Sequence, residues 1–312
     1  MKQTPRRQAL RALGAALALP ALAGPRPSSA TAAAGSAAAS PTPVRVASGL
    51  EHPWALAFLP DGSMLVTERP GRLRRVSPDG RVSAPISGVP AVHANGQGGL
   101  LDVALGPGFA QDRGVFLSFA QPTRNGARTA VARGTLSADG GALRDVSVIF
   151  AQKDDPSGGH HFGSRLVFAG DGTLFVTLGD RYGHRDRAQD PGSHLGKIVR
   201  IRADGSVPKD NPFVGRGGTL PEIHSLGHRN VQGAALHPST GALWTHEHGP
   251  QGGDELNLEK PGANYGWPVV THGREYVTGF RIGDATERAG IEPALHQWTP
   301  SIAPSGMAFL TS

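Results

Sequence analysis

Cysteine is absent from the 312-residue sequence, and aromatic and charged residues, at 6% and 18%, are scarce. Without cysteine the chain has no disulfides, thiolate zinc sites, iron–sulfur clusters or cysteine nucleophiles. No apolar run approaches the ~20 residues that span a bilayer, so we expect no membrane-spanning segment. Apolar residues still make up 38% of the chain, beside 44 Gly and 26 Pro residues. This composition supports a folded core and indicates a fold with many turns.

The basic excess of the chain is confined to its N-terminus. The sequence has 31 Lys and Arg residues against 25 Asp and Glu residues, a formal net charge of +6. Five of the basic residues lie in the first 30 positions, which contain no acid, leaving 26 basic residues against the 25 acidic ones. Nucleic-acid-binding proteins carry a basic patch or stripe, so we expect no nucleic-acid partner.

Residues 1–30 have the order of an export signal. A basic segment from Lys2 to Gln8 precedes an apolar run from Ala12 to Leu19. The Arg6-Arg7 pair favours a twin-arginine signal, with an ordinary Sec signal as the alternative. We therefore expect a periplasmic or secreted protein. 

An uncharged tract rich in Ala, Ser, Pro and Thr follows the signal. Such tracts lack the apolar residues of a core and act as flexible linkers. We assign residues 31–43 to this linker and residues 44–312 to one folded domain.

A strand–turn–strand unit recurs along the domain. In each unit, two short alternating segments flank a turn such as Asp61-Gly62, whose residues tolerate the backbone of a tight hairpin. The units run from Trp54 to Thr67, Leu101 to Phe119, Arg165 to Thr177 and Gly233 to Thr245, and Ile302 to Phe309 resembles the opening of a fifth. Intervals of this kind suit the blades of a propeller. Helical periodicity is nearly absent, so we predict an all-β propeller, with a pair of β-sandwiches as the alternative.

One hairpin carries a candidate base and its partner. His161 precedes the first strand of the unit that begins at Arg165, and Asp180 follows the return strand. The two positions lie at the same end of one blade, which is the geometry of an imidazole base oriented by a carboxylate. A histidine in a loop is also a common structural residue, so this pattern alone leaves both interpretations open.

Three further loops carry weaker signals. Gln97 lies in a Gly-rich loop and offers a donor and an acceptor. Arg229 keeps its charge and can stabilise negative charge on an oxygen, although an ordinary ion pair is an alternative. The loop around Gly249 and Pro250 exposes backbone carbonyls, which are ligands that calcium accepts.

Together these segments resemble the soluble quinoprotein aldose dehydrogenases of the glucose/sorbosone dehydrogenase family. The resemblance covers nearly all of residues 44–312 and is carried by several motifs in the same order. The most specific are His161-x-x-x-Arg165-Leu166, Leu178-Gly179-Asp180, Gly227-His228-Arg229-Asn230-x-Gln232-Gly233, Glu247-His248-Gly249-Pro250 and Asn264-Tyr265-Gly266-Trp267-Pro268.

The resemblance implies an enzyme that oxidises an aldose at C1 to the lactone and passes a hydride to pyrroloquinoline quinone. His161 would take the proton of the anomeric hydroxyl, and Asp180 would hold that imidazole. Arg229 would stabilise the quinone oxygen that becomes negative. His161 and Arg229 would therefore contact the cofactor as well as act in catalysis. A soluble or membrane electron acceptor would reoxidise the cofactor.

The resemblance also assigns cofactor and metal ligands. Asn230 and Gln97 would bind the quinone, and the main-chain carbonyls of Gly249 and Pro250 would bind a calcium ion that polarises it. The family fold is a six-bladed propeller of the quinoprotein glucose dehydrogenase type. In the family a further blade follows and supplies basic residues to the cofactor, so we expect this 312-residue sequence to be truncated before its last blade.

Two other functions are compatible with a propeller. A calcium-dependent lactonase would use Asn, Asp and Glu side chains that converge on a central ion and would need no Arg-Asn pair. A non-enzymatic or inactive propeller would bind a glycan or a protein and would not need His161 and Asp180 together.

Overall fold

The computed structural model describes residues 42–311. The expected export signal and nearly all of the expected linker lie outside the described residues. Within residues 42–311, no helix is long and apolar enough to cross a membrane. The chain from Pro53 onward is almost entirely strands and loops, with one short α-helix, α1 (Phe109–Asp112), and one 3₁₀ helix (Arg185–Gln189).

The first half of the domain forms two antiparallel sheets whose strands follow one another in chain order. The first sheet has three strands: β1 (Pro53–Phe58), β2 (Met64–Glu68) and β3 (Arg72–Val76). The second sheet has four strands: β4 (Leu100–Leu105), β5 (Gly114–Pro122), β6 (Ala127–Leu136) and β7 (Leu143–Ala151).

The second half repeats the four-stranded antiparallel pattern twice. The third sheet has the strands β8 (Leu166–Phe168), β9 (Leu174–Leu178), β10 (Lys197–Ile201) and β11 (Ile223–Leu226). The fourth sheet has the strands β12 (Val231–Leu236), β13 (Leu243–Glu247), β14 (Asp254–Leu258) and β15 (His296–Trp298). Repeated meanders of this kind are blades, and the described residues thus form an all-β propeller fold with four blades.

The turns that join the first two strands of a blade form as the sequence predicts. Gly62 and Gly172 adopt φ values of +79°, in the left-handed region that glycine enters without strain. The aspartate before each glycine caps its turn: Asp61 Oδ1 accepts the N–H of Ser63 at 3.0 Å, and Asp171 Oδ1 accepts the N–H of Thr173 at 2.9 Å. The second blade differs, since α1 replaces the tight turn between β4 and β5.

Apolar side chains lie on both faces of the second sheet. Leu117 and Phe119 of β5 pack in the cluster shared with the first sheet, whereas Phe116 packs in the cluster shared with the third sheet. Successive side chains of a strand point to opposite faces, so an unbroken apolar run serves two interfaces. A further cluster, which contains Phe175 and Leu243, joins the third and fourth sheets. The blades are therefore held together face to face.

The expected fifth unit does not form a strand. The segment from Ile302 to Phe309 has no regular secondary structure, and no strand of the described residues pairs with its backbone. An apolar alternating sequence becomes a strand only where a neighbouring strand accepts and donates its main-chain hydrogen bonds. Phe309 instead contacts the rings of Trp244 and His237.

A matched pair of Phe→Ala substitutions tests the interface between blades. Phe116 is 2% exposed between the second and third sheets, whereas Phe58 on β1 is 68% exposed. We expect Phe116→Ala to lower the free energy of unfolding by about 3–5 kcal/mol because it leaves a cavity, and Phe58→Ala to change it by less than about 0.5 kcal/mol. Urea unfolding measures both variants, and equal losses would contradict the packing described here.

Candidate active site

His161 and Asp180 meet at one end of the third sheet, as the sequence predicts. His161 lies in the loop before β8, Asp180 follows β9, and His161 Nδ1 is 2.6 Å from Asp180 Oδ1. Both side chains are buried. A Cβ on Gly179 would lie 2.1 Å from the His161 carbonyl oxygen, so only glycine allows the two loops to approach this closely.

Asp180 is fixed by four hydrogen bonds. Its Oδ1 also accepts the N–H of Tyr182 at 2.8 Å, and its Oδ2 accepts the indole N–H of Trp267 at 2.7 Å. Its own N–H donates to the carbonyl of Arg229 at 2.9 Å. A carboxylate held in this way accepts from Nδ1 of the neighbouring imidazole, which leaves Nε2 as the basic nitrogen.

The charge state of His161 suits a base. Burial lowers the pKa of the His161 imidazole below its usual 6.5; the hydrogen bond to Asp180 opposes this shift, and the charge of Arg229 adds to it. The imidazole is therefore neutral at pH 7 and able to accept a proton.

Arg229 is a buried cation without an acidic partner. Its side chain lies in the loop between β11 and β12 and is 4% exposed. Nη1 donates to the carbonyls of His248 and Gly249 at 2.9 and 2.8 Å, and Nη2 lies 3.3 Å from the hydroxyl of Tyr276. No carboxylate of the described residues forms an ion pair with this guanidinium. All three of its partners are neutral, so the positive charge is available to an anionic ligand.

The backbone that carries Arg229 rests on a buried acid. Glu247 Oε2 accepts the N–H of Arg229 at 2.5 Å, and Glu247 Oε1 lies 2.9 Å from His228 Nδ1. Burial alone would lower the pKa of His228, but Glu259 and Glu247 together raise it above its usual value. His228, in contact with the buried acids Glu247 and Glu259, thus holds this loop.

Gln97 and Asn230 contact the main chain around the base. Gln97 Oε1 accepts the N–H of His161 at 2.8 Å. Asn230 Oδ1 accepts the N–H of Gly163 at 3.1 Å and the side-chain amide of Gln232 at 3.1 Å. Both residues therefore tie separate loops to the strand end that presents the base.

The loop expected to bind calcium is held by backbone contacts. The N–H of Gly249 donates to Asp254 Oδ1 at 2.9 Å, and its carbonyl accepts from Arg229. A Cβ on Gly249 would lie 2.3 Å from the carbonyl oxygens of Gly252 and Gly253. Within residues 42–311, no three His, Asp or Glu side chains are grouped as metal ligands.

The structure divides the predicted residues between two cavities. A cavity of about 290 Å³, here called the His161 cavity, is lined by His161, Asp180, Tyr182, Arg185, Arg229, Pro250, Trp267, Glu275 and Tyr276, among others. A second cavity of about 230 Å³, the Asn230 cavity, is lined by Gln97, Asn230, Gln232, Trp54, Arg69 and His248, among others. The contact of Gln97 with His161 joins the walls of the two. A larger cavity of about 430 Å³ beside Glu255 contains none of the predicted residues, so size does not identify the site.

Several site residues were not assigned a role from the sequence. Trp267, Glu275 and Tyr276 lie in the long connection between β14 and β15, which has no periodicity to indicate where its side chains point. Trp267 stood in a family motif, but nothing in that motif shows its contact with Asp180. Glu247 similarly preceded the expected calcium loop without indicating that it holds Arg229.

A buried lysine anchors the segment that follows Asp180. Lys197 Nζ donates to the carbonyls of Arg187, Ala188 and Leu195 at 2.7–2.9 Å. The first two carbonyls belong to the 3₁₀ helix that carries Arg185 at the wall of the His161 cavity. Burial lowers the pKa of Lys197 to about 7.

Comparison with known proteins assigns this chain to a family. The family model described as Glucose / Sorbosone dehydrogenase matches residues 50–312. The chain belongs to this family. It is therefore an oxidoreductase of the sugar dehydrogenase class, and the family resemblance stated from its motifs is confirmed.

Individual relatives agree with this assignment. The chain is 49% identical over 267 residues to aldose sugar dehydrogenase YliI of Escherichia coli, covering 84% of this chain and 71% of the relative. It is 33% identical over 252 residues to quinoprotein glucose dehydrogenase B of Acinetobacter calcoaceticus, covering 72% and 52%. The structure of the PQQ-bound form of aldose sugar dehydrogenase from Streptomyces coelicolor superposes with a TM-score of 0.72 at 35% identity, covering 85% and 73%.

Substitution of Lys197 tests the anchor. We expect Lys197→Met to lower the free energy of unfolding by about 3 kcal/mol, because the buried carbonyls that Nζ contacts lose their donor. Between pH 7 and 10.5 the unfolded lysine is protonated and the folded one is not, so the stability of the wild type should rise with pH relative to the variant, by at most about 1.4 kcal/mol per pH unit.

The control for this experiment is the exposed Lys209, whose change to Met should leave both the stability and its pH dependence unaltered. Chemical denaturation from pH 6 to 10 measures all three proteins. A wild type and Lys197→Met variant with parallel pH profiles would show that the lysine titrates normally.

Proposed function

We propose that this protein oxidises an aldose at C1 to the lactone, with pyrroloquinoline quinone as its redox cofactor. The observation that carries the proposal is the convergence of the His161–Asp180 pair and the unpaired cation of Arg229 on one cavity. A general base and a fixed positive charge are the two groups that hydride removal from a hydroxyl-bearing carbon requires. The quinone named for two of the relatives above supports the choice of cofactor.

The residues present suit an anionic quinone. The guanidinium of Arg229 is bonded only to neutral groups, and Asn230 and Gln97 line the adjoining Asn230 cavity with amide groups. We assign cofactor binding to Gln97, His161, Arg229 and Asn230. When bound, the quinone supplies a two-electron acceptor, and the protein supplies binding, orientation and charge.

The geometry of His161 indicates which proton transfer the protein itself performs. Nδ1 is engaged by Asp180, so Nε2 takes the proton of the anomeric hydroxyl as hydride leaves C1. The imidazolium that forms is stabilised by the carboxylate 2.6 Å away. Arg229 stabilises negative charge on an oxygen without changing its own protonation state.

We propose calcium as the metal and the carbonyl oxygens of Gly249 and Pro250 as its protein ligands. Pro250 lies in the wall of the His161 cavity, and a carbonyl oxygen has two lone pairs, so the bond from Arg229 leaves Gly249 able to accept a second partner. Calcium takes six to eight oxygen ligands. These two carbonyls would fill only part of that coordination sphere.

We further propose a periplasmic or secreted location, with residues 1–30 as a twin-arginine signal, 31–43 as a linker and 44–312 as the catalytic domain. The N-terminal sequence supports the location, and fractionation of expressing cells measures it; unprocessed protein in the cytoplasm would contradict it. We also propose that the family fold to which these four blades belong is a ring of six blades, as the family resemblance implies. An electron acceptor, soluble or in the membrane, would then reoxidise the cofactor.

Reconstitution tests the activity. The purified protein is given quinone and calcium together, or either one alone, and an artificial dye reports reduction while a panel of aldoses is offered. We expect dye reduction and lactone formation only with both additions. Failure of the protein to bind quinone and to oxidise any aldose would contradict the proposal. Activity that persists in a calcium chelator would show that the reaction does not require calcium.

Substitution of His161 tests the assigned base. We expect His161→Ala to lower kcat by about 10²–10⁴-fold, the usual contribution of a general base. In the wild type, kcat/KM should fall at acidic pH with a midpoint below 6.5, because burial lowers the pKa of the imidazole and its protonation removes the base.

The matched control is His296→Ala, since His296 is exposed on β15. This variant should keep the wild-type rate and pH profile. Near wild-type turnover by His161→Ala would show that another group removes the proton.

A further inference from the structure

Trp267 links the base to the cation in the His161 cavity. Its indole is 6% exposed, and Nε1–H donates to Asp180 Oδ2 at 2.7 Å. The other oxygen of the same carboxylate, Oδ1, lies 2.6 Å from His161 Nδ1. The guanidinium carbon of Arg229 lies 5.4 Å from the centre of the Trp267 ring, within cation–π range.

The main chain holds this indole in place at both ends of the residue. The N–H of Trp267 donates to the carbonyl of Gly227 at 2.9 Å, and its carbonyl accepts from Gln189 Nε2 at 2.7 Å. Gly227 lies in the loop that carries Arg229, and Gln189 ends the 3₁₀ helix after Asp180. The tryptophan is thus tied to both segments whose side chains it touches.

We propose that Trp267 is a positioning residue that sets the orientation of the Asp180 carboxylate and, through it, the tautomer and basicity of His161. The proposal rests on the assignment of His161 as the base. A carboxylate with one oxygen held by the indole can turn only its other oxygen towards the imidazole. Loss of the indole N–H would leave Oδ2 buried without a donor, while Oδ1 keeps its contacts with His161 Nδ1 and the N–H of Tyr182.

The direction in which the pKa of His161 should change follows from one fact: the indole N–H and the imidazole both interact with the negative charge of Asp180. Each donor to a carboxylate stabilises its negative charge and lowers its affinity for a proton, so removal of the indole donor strengthens the interaction of Asp180 with a protonated imidazole. The other groups that act on the charge of His161 are Arg229 and His160; neither is substituted, and phenylalanine keeps an aromatic ring beside the Arg229 guanidinium. We expect Trp267→Phe to raise the pKa of His161 by about 0.5–1 unit, since one unit corresponds to about 1.4 kcal/mol.

NMR of the protein without added quinone or sugar tests this directly, so the outcome does not depend on the proposed activity. The chain has four tryptophans, and the indole N–H resonance lost in Trp267→Phe identifies that of Trp267. In the wild type this resonance should move with pH at the same midpoint as the imidazole nitrogens of His161, while the other three indole resonances do not. The proposal would be overturned if the indole N–H resonance of Trp267 did not shift as His161 titrates.

Two further variants test whether the indole acts on His161 through Asp180. Trp244→Phe, outside the cavity on β13, should leave the pKa of His161 unchanged. In an Asp180→Asn background, Trp267→Phe should no longer shift that pKa, because the charge through which the indole acts is absent. A shift of the same size with and without Asp180 would show that Trp267 acts by another route. If Trp267→Phe fails to fold, Trp→Phe substitutions at Trp54, Trp244 and Trp298, one at a time, assign the Trp267 resonance by elimination, and the wild-type titration then decides.

Discussion

The burial of apolar side chains on both faces of a sheet is the constraint on which the rest of this molecule depends. β5 places Phe116 against the third sheet and Phe119 against the first. Sheets packed in this way meet through their faces, so the loops at their strand ends are left to carry function. The candidate site uses those loops: His161 comes from the connection before β8, Arg229 from that before β12, and Trp267 from that after β14.

The site combines a neutral base with a permanent cation at close quarters. The positive charge of Arg229 helps to keep the His161 imidazole unprotonated, while Asp180 favours the protonated form that follows proton transfer. These opposing influences leave the base neutral in the resting protein and still able to hold a proton. The influence of Asp180 depends on the fixed position of its carboxylate, which the hydrogen bonds with His161, Tyr182 and Trp267 maintain.

Local features of the sequence predicted much of this arrangement. Asp-Gly pairs predicted the turns, and alternation of apolar residues predicted the strands. The positions of His161 and Asp180 at the two ends of one hairpin predicted that they would lie close together. The segment from Ile302 to Phe309 shows the limit of such reasoning, because alternation does not reveal whether a partner strand is present. The contact between Trp267 and Asp180 spans 87 positions and arises from the path of a loop without periodicity. Motif order indicated the family, but only the fold shows which side chain bonds to which.

The unpaired charge of Arg229 has a consequence for folding. A guanidinium buried among carbonyls has lost most of its hydration without gaining a counter-ion, and that loss opposes the folded state. An anionic ligand that pairs with it binds only the folded chain and therefore adds to the free energy of unfolding. The arginine thus couples the thermal stability of this propeller to ligand occupancy: the residue that attracts the anion also makes the protein less stable without it.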